Sequence, residues 1–282
     1  MTAYDTPAPV SVTAHVDAGS IQFLAGDRAD TVVEVLPRDP KRDLDVRTVE
    51  QTRVSYASGG LTVRTPKSNV FGRTGTVDVT VELPAGSHVE LTGAWVQAVG
   101  EGRLDEVRVK TATGDVRLDT TGPLHLNTAH GSITVGRVEG AAEISTSSGS
   151  LRVGRIEGPA VLKNAHGTTT VGAATGPLTV NGANGDIDIA RAEDSVTATT
   201  AHGTLRVAEV ARGTVELETA HGTIEVGVRK GTAAWLDVSS GSGRVRNTLT
   251  TAEAPDDAEE TVTVRARTRH GNIDVLRAAD QA

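Results

Sequence analysis

Five of the eight histidines stand directly before a glycine: His130, His166, His202, His221 and His270. Neutral imidazole is a common metal ligand, so the recurrence asks first whether the chain carries a metal-binding histidine ladder. Zinc–nitrogen bonds of about 2.0–2.1 Å require donor nitrogens only about 3.3 Å apart. His130, His166 and His202 are two repeats from one another, roughly 9.6 Å at the strand spacing of a β-sheet, which is too far to share an ion. His202 and His221 are the one pair on consecutive repeats, and they are the candidate metal ligands. Ser148, Asn184 and Ser242 occupy the same place in other repeats. Turn chemistry is therefore the favoured role of this position, and neither a metal nor a cofactor is expected.

Other chemistry is weighed in the same way. Gly182-Ala183-Asn184-Gly185-Asp186-Ile187-Asp188 has the flavour of a glycine–aspartate calcium repeat. One copy supplies too few oxygen ligands, because such sites are built from successive turns. Glycoside hydrolysis needs two carboxylates about 5–9.5 Å apart across a sugar. Asp186, Asp188, Glu216, Glu218 and Glu225 lie at outward strand positions, but Arg206 falls between Asp188 and Glu225 in one column, which reads as charge pairing. An ice- or mineral-binding face would present a uniform threonine ladder. The column Thr134, Arg152, Thr170, Asp188, Arg206, Glu225 is mixed. The column beside the glycine, Ser132, Ser150, Thr168, Asp186, Thr204 and Thr223, suits the capping of turn amides.

The elements that must position these residues are repeats. Gly131-Ser132-Ile133-Thr134-Val135 returns as Gly149-Ser150-Leu151-Arg152-Val153 and on through Gly167, Gly185, Gly203 and Gly222. The anchor glycines from Gly131 to Gly203 are 18 residues apart, Gly114 lies 17 before Gly131, and Gly222 lies 19 after Gly203. Each repeat holds two stretches in which apolar residues alternate, such as Ile187/Ile189 and Val196/Ala198, the period of a strand with one buried face. Breakers such as Gly158-Pro159 and Gly176-Pro177 separate them. No 12-residue segment has helical spacing. A parallel β-solenoid, one repeat per coil, explains the fixed period, since equivalent residues then stack on one another about 4.8 Å apart. Antiparallel hairpins would give no reason for it.

The composition narrows the classes further. The 282 residues include no cysteine, 31 glycines and two each of Trp, Tyr and Phe. Disulfide frameworks, thiol nucleophiles and thiolate zinc sites are thereby excluded. A formal charge of −8 argues against a nucleic-acid partner. No apolar run of about 18 residues is present to span a membrane as a helix. Met1-Thr2-Ala3-Tyr4-Asp5 has no basic leader before an apolar stretch, so a cytoplasmic location is expected.

Glycine-anchored strand pairs with a (Ser/His/Asn)-Gly-(Asp/Ser/Thr)-(Ile/Val/Leu) signature, preceded by Leu83-Pro84-Ala85-Gly86, resemble the bacterial β-strand-repeat proteins of unknown function labelled "putative adhesin". The resemblance covers about Val77 to Val275. It implies a right-handed parallel β-helix and carries over no catalytic residue. The expected layout is a disordered segment 1–10, divergent N-terminal coils over 11–100 with a charged insertion near 37–45, and regular coils over 101–246. An acidic loop over 247–261 and terminal capping strands over 262–282 complete it. The expected role is a non-enzymatic scaffold that binds a protein partner or itself. The alternatives are an envelope-associated adhesin and a carbohydrate-active enzyme built on a β-helix.

Overall fold

The computed structural model describes residues 1–66, 75–249 and 260–279. The chain divides into two compact units, Met1–Glu139 and Gly140–Ala282. Each is a β-solenoid of stacked parallel strands, in which valine, isoleucine and leucine point inward and polar residues point out. Alternation sets this: burying one such aliphatic side chain contributes about 1.5–3 kcal/mol, and a strand offers only every second residue to the core.

Unit 1 runs β1 (Thr2–Asp5), β2 (Ser11–Gly26), β3 (Asp30–Pro37), α1 (Asp43–Gln51), β4 (Arg53–Ala57), β5 (Gly60–Arg64) and β6 (Val77–Pro84). It continues with β7 (His88–Arg103), β8 (Val107–Thr113), β9 (Val116–Thr121), β10 (Leu124–His130) and β11 (Ile133–Val138). The later coils stack in parallel register, Val89 on Val107 on Leu124, and Ala98 on Val116 on Ile133. The long β2 lies between β7 on one side (Ile21↔Ala98) and β5 and β6 on the other (Val12↔Leu61, Gly19↔Val77). Beyond β5 and β6 the direction reverses. β4 pairs antiparallel with β5, β3 antiparallel with β6, and β1 antiparallel with β3, while α1 packs on β3 and β6.

One expectation is corrected here. The segment 1–10 is not disordered: β1 is hydrogen-bonded along β3, and the buried Thr6 hydroxyl lies 2.8 Å from that of Thr31. The charged insertion leads into a helix, which at nine residues is too short to show a period in sequence. Asp45 holds the helix in place. Only 1% exposed, its carboxylate accepts the amides of Asp39 (3.2 Å) and Thr76 (2.9 Å), with the Arg42 guanidinium 3.5 Å away.

Unit 2 runs β12 (Ala142–Ser148), β13 (Leu151–Ile156), β14 (Ala160–His166), β15 (Thr169–Ala174), β16 (Leu178–Asn184), β17 (Ile187–Ala192) and β18 (Val196–His202). There follow β19 (Leu205–Val210), β20 (Gly213–His221), β21 (Ile224–Val228), β22 (Ala233–Ser242), β23 (Val245–Asn247), β24 (Thr261–His270) and β25 (Ile273–Arg277). The first coils advance by 18 residues, Ala142 on Ala160 on Leu178 on Val196, and Leu151 on Thr169 on Ile187 on Leu205. Val153 and Val207 are buried while Arg152 and Arg206 are exposed.

The last coils break sequence order. β24 pairs with β20 on one side and with β22 on the other, and β25 lies likewise between β21 and β23. The strands expected to cap the chain over 262–282 are thus interior. Their side chains agree: Val262, Val264, Ala266, Ile273 and Val275 are all 0% exposed. β22 and β23 are outermost instead, and neither contains a buried residue. Residues 250–259 of the expected acidic loop lie outside the described residues.

Candidate functional site

Each coil of unit 2 turns its sharpest corner between the two strands, at the anchor glycine. Gly203 has φ +149°, and a Cβ there would come within 2.1 Å of the Gly185 carbonyl oxygen. Glycine therefore stacks on glycine up the corner, because no other residue allows the backbones so close. From inside, a polar column ties the corner down. The Thr219 hydroxyl donates to Gly203 O (3.3 Å), and that of Thr268 donates to Gly222 O (3.1 Å). The buried Asn164 amide donates to Gly149 O and Gly167 O at 3.1 Å each. On the outer side, the Asp186 carboxylate accepts the Thr204 amide of the next coil at 2.7 Å.

The residue before the glycine forms a solvent-facing column. In spatial order it reads Ser148, His166, Asn184, His202, His221, His270, Ser242. The rings of His202 and His221 stack with centroids 5.0 Å apart and planes 7° from parallel. Those of His221 and His270 stack at 4.8 Å and 12°. His202 and His221 are brought together as their positions on consecutive repeats imply. His270, 49 residues beyond His221, joins them only because β24 is inserted next to β20. Its His-Gly dipeptide marked it as a corner residue, but no repeat spacing could reveal its neighbour. In unit 1, His130 lies in a column with Thr113, the exposed Trp95 and Ala18. His166 pairs with Asn184, Nδ1 to Nδ2 at 3.2 Å. Among the described residues, no group of three histidine, aspartate or glutamate side chains converges as a metal site.

Three of the five acidic residues considered for glycoside hydrolysis, Asp188, Glu216 and Glu225, are paired with arginines. Arg206 lies 3.3 Å from Asp188 and 3.2 Å from Glu225, and Arg265 is 2.7 Å from Glu216. Nearby, Arg229 forks between Glu193 (2.8 Å) and Glu209 (2.6 Å). The hydrogen bond from Arg229 holds the Glu193 carboxyl below the ordinary glutamate range. No helix among the described residues is long and apolar enough to cross a membrane.

The second feature is the outer coil of unit 2. Among the described residues, β22 and β23 pair only on the side of β24 and β25. Leu236 and Val238, in line with the buried Val264 and Ala266, are half-exposed, and Val245 is 45% and Trp235 64% exposed. Nothing in the sequence singled out this edge, since its alternation matches that of the interior strands.

The chain is similar to several solved structures. A putative adhesin from Parabacteroides merdae is 13% identical, with 80% of this chain and 94% of that one covered and a TM-score of 0.49. One from Bacteroides fragilis is 12% identical over 97% and 95% of the two chains, with a TM-score of 0.39. A structure called a putative lipid binding protein, from Parabacteroides distasonis, is 12% identical over 97% and 95%, with a TM-score of 0.37. No curated protein matches the sequence. The Toastrack DUF4097 family model matches residues 10–276, nearly the whole solenoid just described, and the chain belongs to that family.

Proposed function

We propose that the chain is a non-enzymatic scaffold that associates with a second copy of itself through the outer coil β22–β23. The observation that carries this is the unpaired parallel edge. A row of backbone donors and acceptors with no ladder partner among the described residues, beside half-exposed Leu236, Val238 and Val245, is a template for another strand. In unit 1 the corresponding edge of β5 and β6 is already taken by β4 and β3. Among the described residues, the outer coil of unit 2 is therefore the outermost parallel coil whose edge no other strand covers. Two such edges pair antiparallel about a two-fold axis, which closes the assembly as a dimer. The outward charges of β22 and β23 are already paired, Asp237 with Arg267 and Arg246 with Asp274, which leaves the apolar and backbone groups to make the contact.

A non-catalytic role is supported by the pairing of Asp188, Glu216 and Glu225 with arginines. Light scattering on eluting protein over a range of concentrations tests the proposal. We expect a dimer that gives way to monomer on dilution, and a monomer throughout for Leu236→Lys with unchanged circular dichroism. A wild-type chain that stays monomeric at high concentration overturns it. We place the protein in the cytoplasm, and fractionation of its host tests that: recovery with the envelope would favour the adhesin role instead.

A further inference from the structure

We propose that the stacked imidazoles of His202, His221 and His270 bind one divalent transition-metal ion of the copper, nickel or zinc class, held by two of the three rings at a time. The three are distinguished from the other histidines by their mutual stacking, and they share with His130 the lack of a ring-nitrogen partner among the described residues. His15 bonds to Thr92, His88 faces Asp105 at 3.6 Å and His166 bonds to Asn184, whereas no ring nitrogen of the stacked three has a hydrogen-bond or ion-pair partner among the described residues. All three are exposed, so their lone pairs are free for a ligand from solvent. The corner itself does not demand histidine, since Ser148, Asn184 and Ser242 turn it equally well. Three consecutive imidazoles therefore need a reason beyond the turn.

Geometry sets the stoichiometry. Adjacent rings are 5.0 and 4.8 Å apart by their centroids. Two donors on one ion lie about 3.3–4.2 Å apart for bonds of about 2.0–2.1 Å. Small rotations of exposed side chains close that gap for a neighbouring pair. The outer rings, His202 and His270, are nearly twice as far apart and cannot join the same ion. This is consistent with the absence of any converging group of three. The ion has two equivalent seats, His202/His221 and His221/His270, and both use His221. They exclude one another, so one ion binds per chain, with its remaining positions open to water. Imidazole nitrogen favours copper(II) above its neighbours in the series, which makes copper(II) the sharpest probe.

The experiment is calorimetric titration of untagged protein with copper(II) at about neutral pH, with electron paramagnetic resonance on a sample holding less than one equivalent. We expect one ion per chain with coupling to two nitrogens. His221→Asn should abolish it, and because Asn184 already occupies an equivalent corner, that variant should keep the wild-type melting temperature. His202→Asn and His270→Asn should each still bind one ion, about twofold more weakly, because one of two equivalent seats is lost. The proposal is overturned if His221→Asn binds as wild type does, if two ions bind, or if loss of either outer histidine alone abolishes binding.

Discussion

The two ends of the chain solve one problem to different depths. Both tuck a strand from the first or last part of the chain one coil inward. β2 lies between β7 and the pair β5/β6, and β24 with β25 lies between β20/β21 and β22/β23. A frayed chain end would open an edge, and a segment paired on both sides cannot fray without breaking two ladders. Beyond the tuck the ends diverge. In unit 1 the outermost parallel strands are covered by antiparallel β3 and β4 and by α1, and Leu61, Val63 and Val77 are at most 1% exposed. In unit 2 nothing among the described residues covers β22 and β23, and Val245 is 45% exposed. A solenoid needs two caps to be inert. Unit 1 builds its own cap, and in the self-association proposed above a second copy would cover the outer coil of unit 2.

The comparison is tested most severely by matched substitutions on the two outermost parallel strands. Leu61 of β5 and Leu236 of β22 both point to the core side of their coil, but only the first is buried. Leu61→Asp places an unpaired carboxylate inside the cap and should cost more than about 4 kcal/mol, enough to prevent folding. Leu236→Asp should cost under about 1 kcal/mol in the monomer. Urea denaturation of both variants decides the matter, and similar costs would mean that the outer coil of unit 2 is covered after all.

A smaller effect separates interior corners from the outermost one. Gly203 and Gly243 both have positive φ, and a Cβ on either would overlap a glycine carbonyl of the neighbouring coil, at 2.1 and 1.9 Å. Gly203 has coils on both sides and cannot retreat, so Gly203→Ala should cost about 2–4 kcal/mol. Gly243 begins the turn into β23, whose outer side is unpaired, and Gly243→Ala should cost about 1 kcal/mol as that strand shifts outward. Melting curves of the two variants would break the comparison if the order were reversed.

What the sequence made legible follows from where the physics is local. The 18-residue period and the alternation of Ile187/Ile189 or Leu205/Val207 gave the coil, its inward face and its corner, because each coil repeats the same contacts with its neighbours. Strand order at the ends is different in kind. Val264 and Leu236 carry the same alternation, and only the loss of solvent from Val262, Val264 and Ile273 against the exposure of β22 tells which coil is outermost. That is a competition between two stackings, and a linear pattern does not record its winner. The histidine column inherited this blindness: His202 and His221 were readable as neighbours, and His270 was not. Helix α1 escaped for a third reason. It is fixed by one buried carboxylate, Asp45, rather than by an apolar face.

The smallest effect concerns the charges that brace each unit near its tuck. Arg28 forks between Asp30 and Glu82 in unit 1, and Arg229 forks between Glu193 and Glu209 in unit 2. Both guanidiniums have raised pKa values, chiefly through hydrogen bonds to these carboxylates, and Asp30 and Glu193 are correspondingly lowered. A carboxyl whose folded pKa lies below its unfolded value stabilises the fold above the unfolded pKa, and that contribution fades as pH falls through the folded one. For Glu193 the ordinary value is 4.5. Glu193→Gln should therefore lower stability by under about 1 kcal/mol at neutral pH, since the pair is partly solvated. The deficit should shrink below pH 4.5 and vanish in stronger acid, where wild type has lost the same charge. Asp30→Asn should show the same pH shape at the other end of the chain. Denaturant midpoints measured across that range distinguish the two possible causes. A deficit that persists unchanged in acid would show that Glu193 acts through packing against Arg229 and not through charge.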